Sequence, residues 1–258
     1  MTAPRIYYPH PFAVGETCVL DGNWRRYLRT VLRLREGDAL VLFDGQGREG
    51  RAHMTGIDRD GVSVQVGVCR VVPADALPLT LAQALPKGET MEAVIRKATE
   101  LGVTAIRPFP SERSIPRLTA EKARQRVARW QTVAVEACRQ SRRADIPRVE
   151  DIASFEDIVA APEDGAVRLM LWEEERETGL RSLLRGLTDL KGRPCTVVIG
   201  PEGGFTEAEV GLARQHGFLV ASLGRRVLKV ETAAVAALAI VQYERESLGT
   251  AGKGDDGT

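Results

Sequence analysis

From Leu79 onward, apolar runs of five to seven residues alternate with longer amphipathic ones, and this alternation constrains the fold more than any other feature of the chain. "LTLAQAL" reads as a strand, and "ETMEAVIRKATEL" as a helix stopped by Gly102. The strand "VTAIRPF" comes next, followed by a long helix from about Thr119 to Arg143 and a shorter one near Ser154–Ala161. The strand "VRLMLWE", a helix near Gly179–Leu187 and the strand "TVVIG" continue the series. A helix over Thr206–His216 ends at Gly217, and the strand "FLVASLG" leads to a last helix, Thr232–Leu248, with Thr232 as its cap. Strands separated by helical crossovers can pair in parallel, so the expectation is an α/β domain, mostly parallel, with helices on both faces.

The first seventy residues show a different pattern. In "GVSVQVGVCRV" a period of two puts Val62, Val64, Val66 and Val68 on one face. "DALVLFDGQGREGRAHMTGI" reads as two strands about a turn at Asp44–Gly47. One helix interrupts, "NWRRYLRTVLRLR", with Leu28, Val31 and Leu32 on one side and Arg25, Arg29 and Arg33 on the other. Short strands with one helix suggest a small β-barrel over residues 1–73. "VPADALP" reads as a linker, the α/β domain as residues 77–248, and "GTAGKGDDGT" (249–258) as a disordered tail.

At 258 residues and a net charge of +1, the chain has room for two such domains and no global charge bias. Locally, Arg117–Arg148 carries nine Lys/Arg against three Asp/Glu, which suits either a polyanion or a solvated helix face. Cys18, Cys69, Cys138 and Cys195 are scattered, three of them within apolar segments, as expected of buried free thiols rather than of disulfides or a metal site. No apolar run approaches the roughly 20 residues of a membrane span, and "MTAPRIYYPHPF" lacks the regions of a signal peptide, so a cytoplasmic protein without membrane attachment is expected.

Two glycine-bearing loops carry the functional signal. "GPEGGFTEAE" comes directly after the strand "TVVIG", and Thr206 with Glu209 forms a capping box that starts the next helix. A phosphate loop would supply Lys; this one supplies Glu202, so its ligand is neutral or cationic at that point, unless the loop is simply a tight turn. One strand later comes "SLGRRVLKVETAAVAAL", where Gly224 permits a sharp bend. The helix after it is apolar on nearly every face, which suggests burial against a second subunit as well as the sheet. "GQGREG" (Gly45–Gly50) also matches a dinucleotide pattern, but the next residues, "RAHMTGI", read as the return arm of a hairpin, not the helix that such a loop requires.

Five segments in this order, "VLRLREGDALVLFDG", "KATELGVTAIRPFPSERS", "VEACRQSRRADIP", "VIGPEGGFTEAE" and "LGRRVLKVETAAVAAL", resemble the RsmE-type 16S rRNA (uracil-N3) methyltransferases of the SPOUT superfamily, along nearly the whole chain. The resemblance implies a PUA-like barrel followed by a SPOUT-type α/β domain tied in a C-terminal trefoil knot, assembled as a homodimer and binding S-adenosylmethionine without a metal. It implies a cofactor site made by Ile199, Gly200, Glu202 and Gly203 with Leu223, Gly224, Val227, Leu228 and Lys229, closed by Leu171 and Trp172. Glu136, Gln140 and Arg143, at i, i+4 and i+7, match the family's substrate-side motif; Arg113 is a further catalytic candidate, and the general base stays open. Arg5, the Arg25/Arg29/Arg33 stripe, Gln140 and the basic long helix would grip rRNA of the small ribosomal subunit. Trp24 is read as core rather than as a stacking platform. Tyr27 stands where the family carries His, Lys229 where it carries Arg, and Val227 where it carries Ile. The rival readings are a non-catalytic rRNA-binding or assembly factor on the same fold, and a methyltransferase with another RNA target.

Overall fold

The structure is a computed structural model that describes residues 3–58, 61–73, 77–114 and 118–245. It divides into two compact units, Met1–Ala74 with Val135–Ile146, and Asp75–Ala134 with Pro147–Thr258. The middle of the expected linker and the whole expected tail lie outside the described residues.

The first unit is a five-stranded half-barrel sheet in the order β1-β3-β4-β5-β2, formed by β1 (Arg5–Tyr7), β2 (Thr17–Leu20), β3 (Ala39–Phe43), β4 (Arg48–Ile57) and β5 (Val62–Val71). β1 runs parallel to β3, and the other pairs are antiparallel. Ile6, Leu40, Leu42, Met54, Val62 and Val64 make its core, with Leu28 inserted from the intervening helix and Trp24 packed at the edge. The Asp44–Gly47 turn joins β3 to β4, Phe43 faces Glu49, and no helix opens after it, which removes the dinucleotide reading of "GQGREG". Its glycines serve packing: a Cβ on Gly45 would lie 2.6 Å from Ile146 Cδ1, in the segment after the long helix.

Two sequence expectations fail here for local reasons. Val68 is 61% exposed, because the register passes from Ala52↔Val66 to Arg51↔Val68 and leaves Gly67 bulged. The extra residue reverses the alternation, so Cys69 packs against the core instead. The helix of residues 23–35 is shorter than expected: α1 (Gly22–Arg26) continues as a π-helical turn, Tyr27–Val31, and the chain leaves it with Arg33 at φ 55°. The wider turn keeps Leu28 buried and turns Val31 outward, at 63% exposed. Arg25 and Arg29 therefore do not continue as a stripe into Arg33.

The second unit is a six-stranded, wholly parallel sheet in the order β11-β9-β10-β6-β7-β8. The strands are β6 (Leu79–Ala84), β7 (Ala105–Phe109), β8 (Arg148–Val149), β9 (Val167–Leu171), β10 (Cys195–Ile199) and β11 (Leu219–Ala221). β6 is buried at all six positions, as a strand covered on both faces must be. The connecting helices are α2 (Thr90–Glu100), α3 (Ala120–Ser141), α4 (Phe155–Ala160), α5 (Leu180–Gly186), α6 (Glu207–Gln215) and α7 (Val230–Glu244). α3 carries the chain from this unit into the 135–146 segment of the first. Ala82, Phe109, Met170 and Val198 meet α4 and α6 in one core, which includes the three rings of Phe109, Phe155 and Phe205. α7 packs against α2, α5 and β10. It starts two residues before the expected cap: Lys229 occupies the N-cap position and no side chain caps the helix. β8 was not legible in the sequence, being only two residues long.

Candidate functional site

In the second unit the carboxyl ends of β9, β10 and β11 border one cavity of about 470 Å³, with Thr90 of α2 and the first turn of α7 completing its wall. Ligands of open parallel sheets collect at such strand ends, because the loops leaving them diverge there. Leu171, Trp172, Ile199, Gly200, Glu202, Leu223, Gly224, Val227, Leu228 and Lys229 all line it, so two loops far apart in sequence enclose one volume. Thr90, Glu173, Arg226 and Glu231 line it too and were missed by the sequence reading. Arg226 and Glu231 lie within the segment "LGRRVLKVETAAVAAL" but were not singled out, and Thr90 and Glu173 lie outside the five segments that carry the resemblance.

Local backbone geometry shapes these walls. Gly200 has no side chain because a Cβ there would sit 3.1 Å from the Phe205 ring. Gly224 has φ 110°, a conformation that an L side chain resists. Gly203 does not line the cavity; its carbonyl accepts a hydrogen bond from Arg113 Nη1 at 3.0 Å. One donor of the exposed Arg113 guanidinium thereby bridges two loops. The same is true of part of Glu202, whose Oε1 accepts from Lys87 N at 2.9 Å. Buried Glu209 closes the set: besides its capping-box bond to Thr206 N at 2.8 Å, it accepts from Glu112 N at 2.9 Å. The "SERS" loop is thus pinned to the start of α6, and Ser114 Oγ donates to Leu85 O at 3.1 Å. Buried beside the cavity, Trp172 Nε1 has no hydrogen-bond partner among the described residues.

The substrate-side candidates lie in the first unit and do not form the expected face. Glu136 and Gln140 do share one, with Gln140 Nε2 donating to Glu136 Oε1 at 3.1 Å. Arg143 does not join them, because α3 ends at Ser141, Arg142 takes φ 64°, and the Arg143 guanidinium pairs with Asp145. Arg139, expected only as part of the basic long helix, takes its place: it pairs with Glu136 through Nε and Nη2, and its Nη1 donates to Tyr27 Oη at 3.0 Å. The Arg139 hydrogen bond holds the Glu136 carboxyl below the usual carboxylate range. Tyr27 is therefore an anchor for Arg139. Arg5 is not a surface cation either: its side chain is 11% exposed, bonded to Glu49 at 2.6 Å and to Arg143 O at 3.0 Å, and stacked on Phe43. Desolvation pushes the Glu49 carboxyl up, but hydrogen bonds from Arg5 and Arg70 outweigh it and leave the group below its ordinary range. Arg29 and Arg33 are exposed and Arg25 is half-buried.

The four cysteines are free, with Cys69 alone among them not buried. Among the described residues no helix is long and apolar enough to cross a membrane, and no group of His, Cys, Asp and Glu could hold a metal ion.

Comparison with known proteins gives consistent results for both units. A model described as "RNA methyltransferase domain" matches residues 73–242, and one described as "RNA methyltransferase PUA domain" matches residues 20–67. Ribosomal RNA small subunit methyltransferase E of Bacillus subtilis is 33% identical over 238 residues, covering 90% of this chain and 92% of that protein. The Synechocystis protein of the same name is 36% identical, over 91% and 75% respectively. A crystal structure of ribosomal RNA small subunit methyltransferase E from Neisseria gonorrhoeae, bound to S-adenosylmethionine, superposes with a TM-score of 0.84 at 33% identity, covering 94% of this chain and 98% of that one.

Proposed function

This chain belongs to the ribosomal RNA small subunit methyltransferase E family, and on that premise we propose that it methylates N3 of a uridine in 16S rRNA, using S-adenosylmethionine. The observation that carries the proposal is the cavity at the ends of β9, β10 and β11, together with the family membership.

The residues present fit the cofactor. Its sulfonium and ammonium are cationic and its carboxylate anionic, and the wall offers Glu202 and Glu231 beside Arg226 and Lys229. Backbone from Ile199 to Glu202 and from Leu223 to Leu228 would hold its polar edges, with Leu171, Val227 and Leu228 against its apolar ones. Bound there, the cofactor supplies an already activated methyl group, so the chain's task is alignment, exclusion of water and removal of a proton. Hydrogen bonds of Arg113, Glu202 and Glu209 hold the loops that border the cavity. Glu136, Arg139 and Gln140 present a polar cluster for the RNA, and Arg29 and Arg33 serve as exposed phosphate contacts. Lys229 supplies charge at the cavity without the planar fork of Arg.

The reading includes the trefoil knot of the second unit, residues 77–248 as the methyltransferase domain and residues 1–73 as the RNA-binding domain, a cytoplasmic site of action, and a homodimer. Half-buried Val235, Ala236, Ala239 and Ile240 and 65%-exposed Tyr243 on α7 support the last. Incubation with labelled S-adenosylmethionine and small subunits lacking the modification tests the function: label at N3 of one uridine is expected. Binding without label would favour the assembly-factor reading, and label elsewhere a different target.

A further inference from the structure

Resting on the uridine-N3 reading, a further role emerges for a cavity residue. N3 of uracil carries a proton. When the N3–CH3 bond forms and the sulfur–methyl bond breaks, its electron pair returns to sulfur and the N3 proton must leave. A positioned acceptor speeds such a step. Three carboxylates line the cavity, Glu173, Glu202 and Glu231, and they differ in their commitments. Glu202 Oε1 is engaged by Lys87 N at 2.9 Å. Glu231 sits in the first turn of α7, on the far side of the two glycine-bearing loops in sequence, and makes no side-chain hydrogen bond to either of them among the described residues. Glu173 is exposed, lies two residues beyond the end of β9, and makes no hydrogen bond or ion pair among the described residues.

Glu173 has one close neighbour. Its carboxylate rests on the backbone of Gly204, so closely that a Cβ on Gly204 would fall 1.7 Å from Oε1. Gly204 has φ 67°, and its N–H bonds Pro201 O at 3.0 Å, so the turn that forms this seat is itself fixed. The left-handed backbone of the second glycine of "PEGG" already favours glycine, and the missing side chain also leaves room for this carboxylate. We propose that Glu173 is the catalytic group that accepts the N3 proton and passes it to solvent.

The test uses the full chain with S-adenosylmethionine and small subunits, comparing E173Q, E202Q and E231Q. E173Q is expected to bind the cofactor within about twofold of wild type by calorimetry, and to lose about 10²- to 10⁴-fold in single-turnover methylation. Its residual rate should climb with pH, as ionisation of N3 in solution replaces the missing acceptor, and E173D should recover part of the loss. A rate for E173Q within about fivefold of wild type overturns the assignment, as does an equal loss in E202Q or E231Q, or a loss that lies wholly in cofactor affinity. A wild-type protein that leaves N3 unmethylated overturns the underlying reading as well; N3 methylation that stays within about fivefold of the wild-type rate in E173Q overturns this assignment alone.

Discussion

Gly200→Ala is a small change with a calculable consequence. The new Cβ would lie 3.1 and 3.2 Å from two carbons of the Phe205 ring and 3.5 Å from a third. Ordinary carbon contacts begin near 3.5 Å, so ring and loop must separate by a few tenths of an ångström. The ring cannot yield easily: it is 1% exposed, stacked on Phe109 at 6.4 Å and 6°, and packed on Phe155 at 5.9 Å. Overpacking of this kind costs about 1–3 kcal/mol. Part of the strain falls on the loop, and since Gly200 lines the cavity, cofactor affinity should fall by about tenfold, the equivalent of about 1.4 kcal/mol. Urea midpoints and calorimetric titration of wild type, G200A, F205L and the double variant measure both effects. Leucine lacks the ring edge that the methyl meets, so G200A should cost at least about 0.5 kcal/mol less in the F205L background. An equal cost in both backgrounds, or a G200A variant as stable and as tight-binding as wild type, would refute the reasoning.

Other expectations rest on the same contacts. R5M should lower stability by about 1–3 kcal/mol, because Glu49 keeps only the exposed Arg70, while leaving the salt dependence of RNA binding unchanged; a shallower salt slope would restore Arg5 as a phosphate contact. The Glu136–Arg139 pair contributes stability above the carboxyl's unfolded value and loses it as pH falls through the depressed folded value. R139M should therefore flatten the acid side of the stability profile, by up to about 1 kcal/mol for so exposed a pair, and an unchanged profile would argue against the coupling. Burial pushes the Cys138 and Cys195 thiols up to about 12, so at pH 8 iodoacetamide should label Cys69 in the native protein well before either; mass spectrometry reading equal rates would contradict this burial.

The parallel sheet and the two loops were legible because their signals are local. Apolar runs gave the strands, and the Thr206–Glu209 capping box gave the start of α6. Where the sequence misled, a single residue or a long-range pair was responsible. Gly67 adds one position to β5 and reverses the pattern for Val68. A π turn at Tyr27–Val31 breaks a helical period that looked uniform, and a left-handed Arg142 removes Arg143 from the face of Glu136. Arg5 read as a surface cation because its acceptors, Glu49 and Arg143 O, are 44 and 138 residues away. Glu173 lay one residue beyond an expected cavity residue, and its neighbour Gly204 is visible only in three dimensions.

The central claim is that one cavity at the ends of β9, β10 and β11 holds the methyl donor. A crystal structure of the protein with S-adenosylmethionine measures it directly. The expected result is cofactor density against Gly200–Glu202 and Leu223–Leu228, with Glu173 facing the methyl-bearing sulfur. Density seated at the Gly45–Gly50 hairpin, or anywhere away from those two loops, would contradict the account.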